Sequence, residues 1–149
     1  MVPRRIRYRW WLGLFLLLGG ALEDHARNVE IEITGIRSER GQIILEIYTD
    51  SESFKKEKPV QRKIFPKSGI REGTLTVELD LDAGTCGLAL IDDENSNGKM
   101  DYHMIRLTEE GFAFSDFYLV GLKKPDFDDF KFVVEKGRKR KVIIRIRYM

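Results

Sequence analysis

Gly73-Thr74-Leu75-Thr76-Val77-Glu78-Leu79-Asp80-Leu81 alternates apolar and polar residues without a break. Leu75, Val77, Leu79 and Leu81 share one side of an extended chain, with threonines and acids on the other. That is the pattern of a strand with one buried and one wet face. The period recurs in Val29-Glu30-Ile31-Glu32-Ile33-Thr34, and Ile43, Leu45 and Ile47 fill one side of the run from Gln42 to Tyr48. Phe130, Phe132 and Val134 alternate again, as do Val142, Ile144, Ile146 and Tyr148 at the end of the chain. No segment after residue 28 carries a long 3.6-residue period. About seven short strands with polar turns between them predict an all-β fold, a single-domain sandwich over residues 29–149.

The connections refine this reading. Gly35 to Gly41 is a polar turn, so the first two strands are expected to pair as a hairpin with a long loop. Cys86 to Ile91 is apolar on both sides, which predicts a central strand. Cys86 then reads as a small buried hydrophobe, since no base adjoins it. Asp, Ser, Pro and Lys break up Asp50 to Pro66, leaving a surface segment with Phe54 as an apolar anchor and a short strand over Arg62 to Phe65. Tyr102 to Leu107 has the character of a further strand. The last two strands are expected to form a hairpin whose tip, Lys136 to Lys141, is basic.

The first residues are of another kind. Arg4, Arg5, Arg7 and Arg9 precede the apolar run Trp10 to Leu18, and Gly19-Gly20-Ala21 supplies small residues for cleavage. The run from Trp10 to Leu18 is nine residues, short of the roughly 20 that span a bilayer as a helix. Residues 1–21 therefore read as a cleaved signal peptide and residues 22–28 as a polar lead-in, which predicts export to the periplasm or the outside and no membrane attachment after cleavage. Without those four arginines the chain has 22 basic and 24 acidic residues, a net charge of −2. Such a balance gives no support for nucleic-acid binding. A lone cysteine rules out an internal disulfide.

One stretch carries site chemistry. Counted from Asp93 in Asp93-Glu94-Asn95-Ser96-Asn97-Gly98-Lys99-Met100-Asp101, oxygen-bearing side chains fall at alternate positions, with glycine sixth. A hard cation such as Ca²⁺ takes oxygen ligands from a short loop of this spacing, and the sixth position needs a sharp turn. The candidate ligands are Asp93, Asn95, Asn97 and Asp101, with Lys99 offering its backbone carbonyl. Asp92 is a spare carboxylate, and Glu109 or Glu110 could complete the shell. The competing reading is a plain turn, in which Asn and Asp side chains bond their own backbone. An EF-hand would place Glu at position twelve of the loop, where this chain has Met104.

Enzyme signatures are missing: no nucleophile with an adjacent base, no metal-hydrolase motif, no phosphate loop. The pairs Asp92/Asp93 and Asp128/Asp129 could serve as acid and base in a hydrolase, but acidic loops are more often simply solvated. The expectation is a non-catalytic module with no catalytic residues and no cofactor other than Ca²⁺. The aromatic-rich segment Phe112 to Tyr118 is the alternative site, a groove for saccharide or peptide if its rings are exposed.

Several motifs together resemble a known family. They are Gly84-Thr85, Asp93-Glu94-Asn95-Ser96-Asn97-Gly98-Lys99-Met100-Asp101, Glu110-Gly111-Phe112-Ala113-Phe114-Ser115 and Pro125-Asp126-Phe127-Asp128-Asp129. In this order they resemble the bacterial secreted family known as domain of unknown function 2141. The chain departs from that pattern at Asp92, Cys86 and Ala113, where the family usually has His, an aromatic and Gly, and around Leu107, where the family usually carries a Pro shortly before the Glu-Gly-Phe motif. The resemblance implies an exported sandwich of prealbumin-like or immunoglobulin-like kind and no established activity. The role expected is binding or structural, in the cell envelope, with an envelope protein or a saccharide as partner.

Overall fold

The computed structural model describes residues 27–98, 110–121 and 123–148. In chain order its elements are β1 (Val29–Thr34), β2 (Gln42–Tyr48), the short helix α1 (Ser51–Lys55), β3 (Gln61–Pro66), β4 (Leu75–Leu79), β5 (Gly84–Asp93), β6 (Gly111–Phe114), the short helix α2 (Phe127–Phe130), β7 (Phe132–Val134) and β8 (Arg140–Arg145). The expected signal peptide and the strand over Tyr102 to Leu107 lie outside the described residues. No helix among the described residues is long and apolar enough to cross a membrane.

The strands form two sheets. The smaller has the order β4-β1-β8, and the larger β3-β2-β5-β6, with β7 pairing the start of β5. All pairings are antiparallel except β1 with β8. The facing surfaces follow from the period-two pattern. Ile31 and Ile33 from β1, Leu45 from β2, Leu88 and Leu90 from β5 and Ile144 from β8 are each fully buried in one cluster between the sheets. The all-β sandwich expected from the alternation is what forms. At one margin the sheets touch: Phe112 and Arg147 exchange two backbone hydrogen bonds of 3.0 Å, and Asp116 N donates to Ile143 O at 2.9 Å.

Two expected hairpins do not form. β1 pairs with β4 and β8, while β2 pairs with β3 and β5 in the other sheet. An alternating strand can bury its apolar side in either sheet, so the period does not choose the partner. The turn from Gly35 to Gly41, with both glycines in the left-handed region (φ of 80° and 78°), carries the chain from one sheet to the other. Similarly, β7 joins β5 and β8 joins β1. The basic segment between them is largely paired: Arg138 with Glu135, Lys139 with Glu78 and Glu30, Arg140 with Asp116, and Lys141 with Glu32. Solvent screens exposed pairs of this kind, so they contribute little to stability.

A second core covers the outer face of the larger sheet. Asp50 caps α1, its Oδ1 accepting from Ser53 N at 2.7 Å, and α1 delivers Phe54. Phe127 and Phe130 come from α2, and Tyr48, Ala89 and Phe114 from the strands beneath. The rings meet edge to face, Phe54 on Phe130 at 4.8 Å and Tyr48 on Phe54 at 5.2 Å between centroids. Such contacts add about 0.5–1.5 kcal/mol to the burial itself. Gly87 makes room for this layer, since a Cβ there would sit 2.6 Å from Phe130 Cε2. Phe54, expected as a lone anchor, is thus one member of an aromatic cluster. The acidic pair Asp128/Asp129, expected in a solvated loop, lies in α2, where Asp129 Oδ2 accepts from Asp126 N at 2.8 Å.

Candidate functional site

β5 is longer than its apolar run, because Asp92 and Asp93 extend the pairing with β2 to Gln42. Successive strand residues point to opposite faces, so the two carboxylates part company. Asp92 has the parity of Cys86, Leu88 and Leu90 and enters the space between the sheets. Asp93 has the parity of Ala89 and Ile91 and stands on the outer face. Both residues are fully buried. A shared cleft for an acid and base pair is therefore not what this doublet forms.

Asp93 organises the loop that follows. Its Oδ1 accepts from Asn97 N at 3.1 Å, and its Oδ2 accepts from Gly98 N at 3.0 Å and Gln42 Nε2 at 2.8 Å. Asn95 Oδ1 accepts from the same Asn97 N at 2.9 Å. The loop curls round one carboxylate, and Gly98 takes the left-handed conformation expected of it (φ 68°). Arg62 Nη2 closes the outside by donating to Gly98 O at 2.7 Å. Of the candidate ligands, the structure brings Asp93, Asn95 and Asn97 into one short loop, while Lys99 and Asp101 lie outside the described residues, as does Glu109. Among the described residues three donors occupy the Asp93 carboxylate, which has roughly four lone-pair positions. Among the described residues no three His, Cys, Asp or Glu groups cluster as they would for a metal.

Asp92 belongs to a different set. The Lys67 ammonium lies on its Oδ1 as an ion pair, without regular hydrogen-bond geometry, and both side chains are fully buried. Tyr148 OH donates to Oδ2 at 2.5 Å and accepts from Arg37 N at 3.2 Å. Lys67 Nζ also donates to Ser38 O at 3.1 Å. Arg37 lies 4.2 Å over the Tyr148 ring and grips Glu94 with two hydrogen bonds, of 3.2 and 2.8 Å. That grip holds the Glu94 carboxyl below its usual range and raises the Arg37 guanidinium. Burial, and then the bond to Asp92, push the Tyr148 hydroxyl well up, so it remains a proton donor.

Lys67, Arg37, Gln42 and the hydroxyl of Tyr148 were not legible as site residues. Lys67 follows Pro66 in the polar stretch Lys67-Ser68-Gly69, which has the look of an ordinary turn. Its inward direction continues that of Phe65, two residues before it, and this period was the one available signal. Tyr148 was expected to point inward; its partner comes from a strand more than fifty residues away.

The aromatic segment resolves into one core strand and its flank. Phe114 is buried, and Phe112 and Phe117 are half-buried against the second core. Ser115 is fully buried, its Oγ donating to Phe130 O at 2.7 Å and accepting from Leu88 N at 2.9 Å. Tyr118 alone of the four rings is exposed, at 45 %, with Arg145 lying 4.7 Å over it. The carboxylates of α2 are likewise engaged: Lys131 binds Asp128 at 2.6 Å. Cys86 is buried, and burial pushes its thiol up to about 11.

A bacterial family model, described as an uncharacterized protein conserved in bacteria (domain of unknown function 2141), matches residues 31–142. No curated protein and no solved structure matches the chain.

Proposed function

The chain belongs to the family known as domain of unknown function 2141, and from that premise we propose that it is an exported structural module of the cell envelope rather than a saccharide-binding or catalytic one. One observation carries this reading: Phe112, Phe114 and Phe117 are spent on the second core, leaving Tyr118 as the one exposed ring of that segment. A stacking groove needs several rings free on one surface. Export rests on the basic and apolar pattern of residues 4–18 and the small residues that follow. Two experiments test the proposal. N-terminal sequencing of protein recovered from the envelope should begin near Leu22, and an uncleaved cytosolic protein would contradict export. Purified protein should show no saturable retention on peptidoglycan or insoluble polysaccharides. Saturable retention lost in Tyr118→Ala would instead establish a binding module.

A second reading has its own observation in support. The Asp93 carboxylate receives the amides of the fifth and sixth loop positions, Asn97 and Gly98. Asn95, Asn97 and this carboxylate thus stand in one short tight loop, the kind of spacing from which Ca²⁺ takes its oxygens. The cation would brace the module, with Lys99 O and Asp101 completing its shell. Extracellular Ca²⁺ sites bind at roughly 10⁻⁴–10⁻³ M, so melting is compared in chelator and in millimolar Ca²⁺. At a hundredfold excess over Kd, binding to the folded state alone adds about 2.7 kcal/mol. Identical melts would leave Asp93 as a turn anchor.

A further inference from the structure

We propose that Lys67 and Asp92 become joined by an intramolecular amide between Lys67 Nζ and Asp92 Cγ, a side-chain crosslink from the loop after β3 to the end of β5. The two side chains come from separate elements, are both fully buried and lie in contact. The flanking strand neighbours of Asp92 are Ile43 and Gly111, so no polar side chain is supplied from either. Gly111 also lets the Tyr148 ring lie over the strand, since a Cβ there would sit 2.5 Å from Tyr148 Cε1.

The two carboxyl oxygens of Asp92 have different partners. Oδ1 faces the Lys67 nitrogen, and Oδ2 receives the Tyr148 hydroxyl at 2.5 Å. That division suits acyl condensation. Lys67 passes one proton to Oδ1, leaving an amine beside a carboxylic acid. The nitrogen lone pair attacks Cγ, the C–N bond forms, and the carbonyl electron pair moves onto Oδ2. The Tyr148 hydroxyl stabilises the charge there, as an oxyanion donor does. Collapse of the tetrahedral intermediate restores the carbonyl and breaks the bond from Cγ to Oδ1. Oδ1 takes a second proton from nitrogen and leaves as water. Ammonium and carboxylate thus become one amide and one water, with no oxidant or activating group.

Two physical terms favour the reaction. A buried ion pair carries the desolvation cost of two charges, and the amide of the same atoms carries none. Holding amine and carboxyl in contact replaces a bimolecular encounter by an intramolecular one, with effective molarities on the order of 10⁵–10⁸ M for well-aligned groups. The crosslink needs neither an occupied cation loop nor a particular envelope role, so its test is separate from those above.

The test is the intact mass of the full chain as recovered from cells, measured under denaturing conditions and referred to its own sequenced N-terminus. The expected mass is lighter by one water, with tryptic fragmentation yielding a branched pair of peptides joined through Lys67 and Asp92. Lys67→Arg and Asp92→Ala should each restore the full mass. Tyr148→Phe should retain the ion pair and crosslink more slowly. Full, unmodified mass in the native protein would overturn the proposal. So would a water loss that maps within one linear peptide, the mark of a succinimide. Undiminished crosslinking in Tyr148→Phe would contradict the roles given to the two oxygens.

Discussion

Replacing Asp93 by Ala measures what holds the loop after β5. The substitution removes the acceptor of Asn97 N, Gly98 N and Gln42 Nε2. Asn97 N keeps Asn95 Oδ1, so Gly98 N and the half-buried Gln42 amide are the donors left behind. Hydrogen bonds to a charged group contribute about 1.5–3 kcal/mol each, and a donor that can rehydrate recovers part of that. We expect a loss of roughly 2–4 kcal/mol in all. At about 4 °C per kcal/mol for a domain of this size, Tm should fall by roughly 8–16 °C. Melts followed by circular dichroism in chelator exclude any contribution from metal. Asn95→Ala is the control, because it removes one acceptor from an amide that Asp93 also serves, and should cost under about 1 kcal/mol. If Asp93→Ala proved no more destabilising than Asn95→Ala, the buried carboxylate would not be the anchor of the loop.

Three further outcomes follow from individual residues. Gly87→Ala forces a methyl against Phe130 and Phe127, at 2.6 and 3.0 Å from their nearest ring atoms, and overpacking of that kind should destabilise by about 1–3 kcal/mol in denaturant titrations. Arg37 holds the Glu94 carboxyl low, so this contact stabilises above the unfolded carboxyl range, near pH 4.3, and is lost as pH falls through the lower folded value. The stability difference between the native protein and Arg37→Ala should therefore shrink as pH falls below the unfolded carboxyl range, in acid melts. Cys86, buried with its thiol raised to about 11, should react slowly with a thiol reagent at pH 8 until denaturant is added; fast native labelling would mean β5 is more open than described.

What was legible in the sequence followed the range of each interaction. β1 and β4 declared themselves by alternation and β5 by a run apolar on both sides, because a residue's face depends only on its immediate neighbours. The partner of each strand did not, since Ile31 and Ile43 alternate alike whichever sheet receives them. α1 and α2 have five and four residues, too few for a helical period to show. The Asp50 cap with Ser53 was their one local sign, and α2 had only its acidic residues. The candidate loop was legible through Asp93, Asn95, Asn97 and Gly98, which lie together in the chain. The parting of Asp92 from Asp93 was implicit in the strand period, but only once the strand was known to continue that far. Lys67 and Tyr148 reach Asp92 across 25 and 56 positions of chain, and no local pattern records such a meeting.

The claim that segment 112–118 serves the core rather than a ligand is tested most directly by amide hydrogen exchange. Phe112 N donates to Arg147 O at 3.0 Å, Ser115 N to Leu88 O at 3.0 Å and Asp116 N to Ile143 O at 2.9 Å, each tying the segment to another strand. Amides locked into a core exchange only when the whole domain opens, whereas those of a surface groove exchange by local fluctuation. We expect the Phe112, Ser115 and Asp116 amides to exchange as slowly as that of Leu88, at the rate set by global unfolding. Exchange at the rate of the Asn95 and Ser96 loop amides would contradict the structural reading and return the segment to the surface as a binding site.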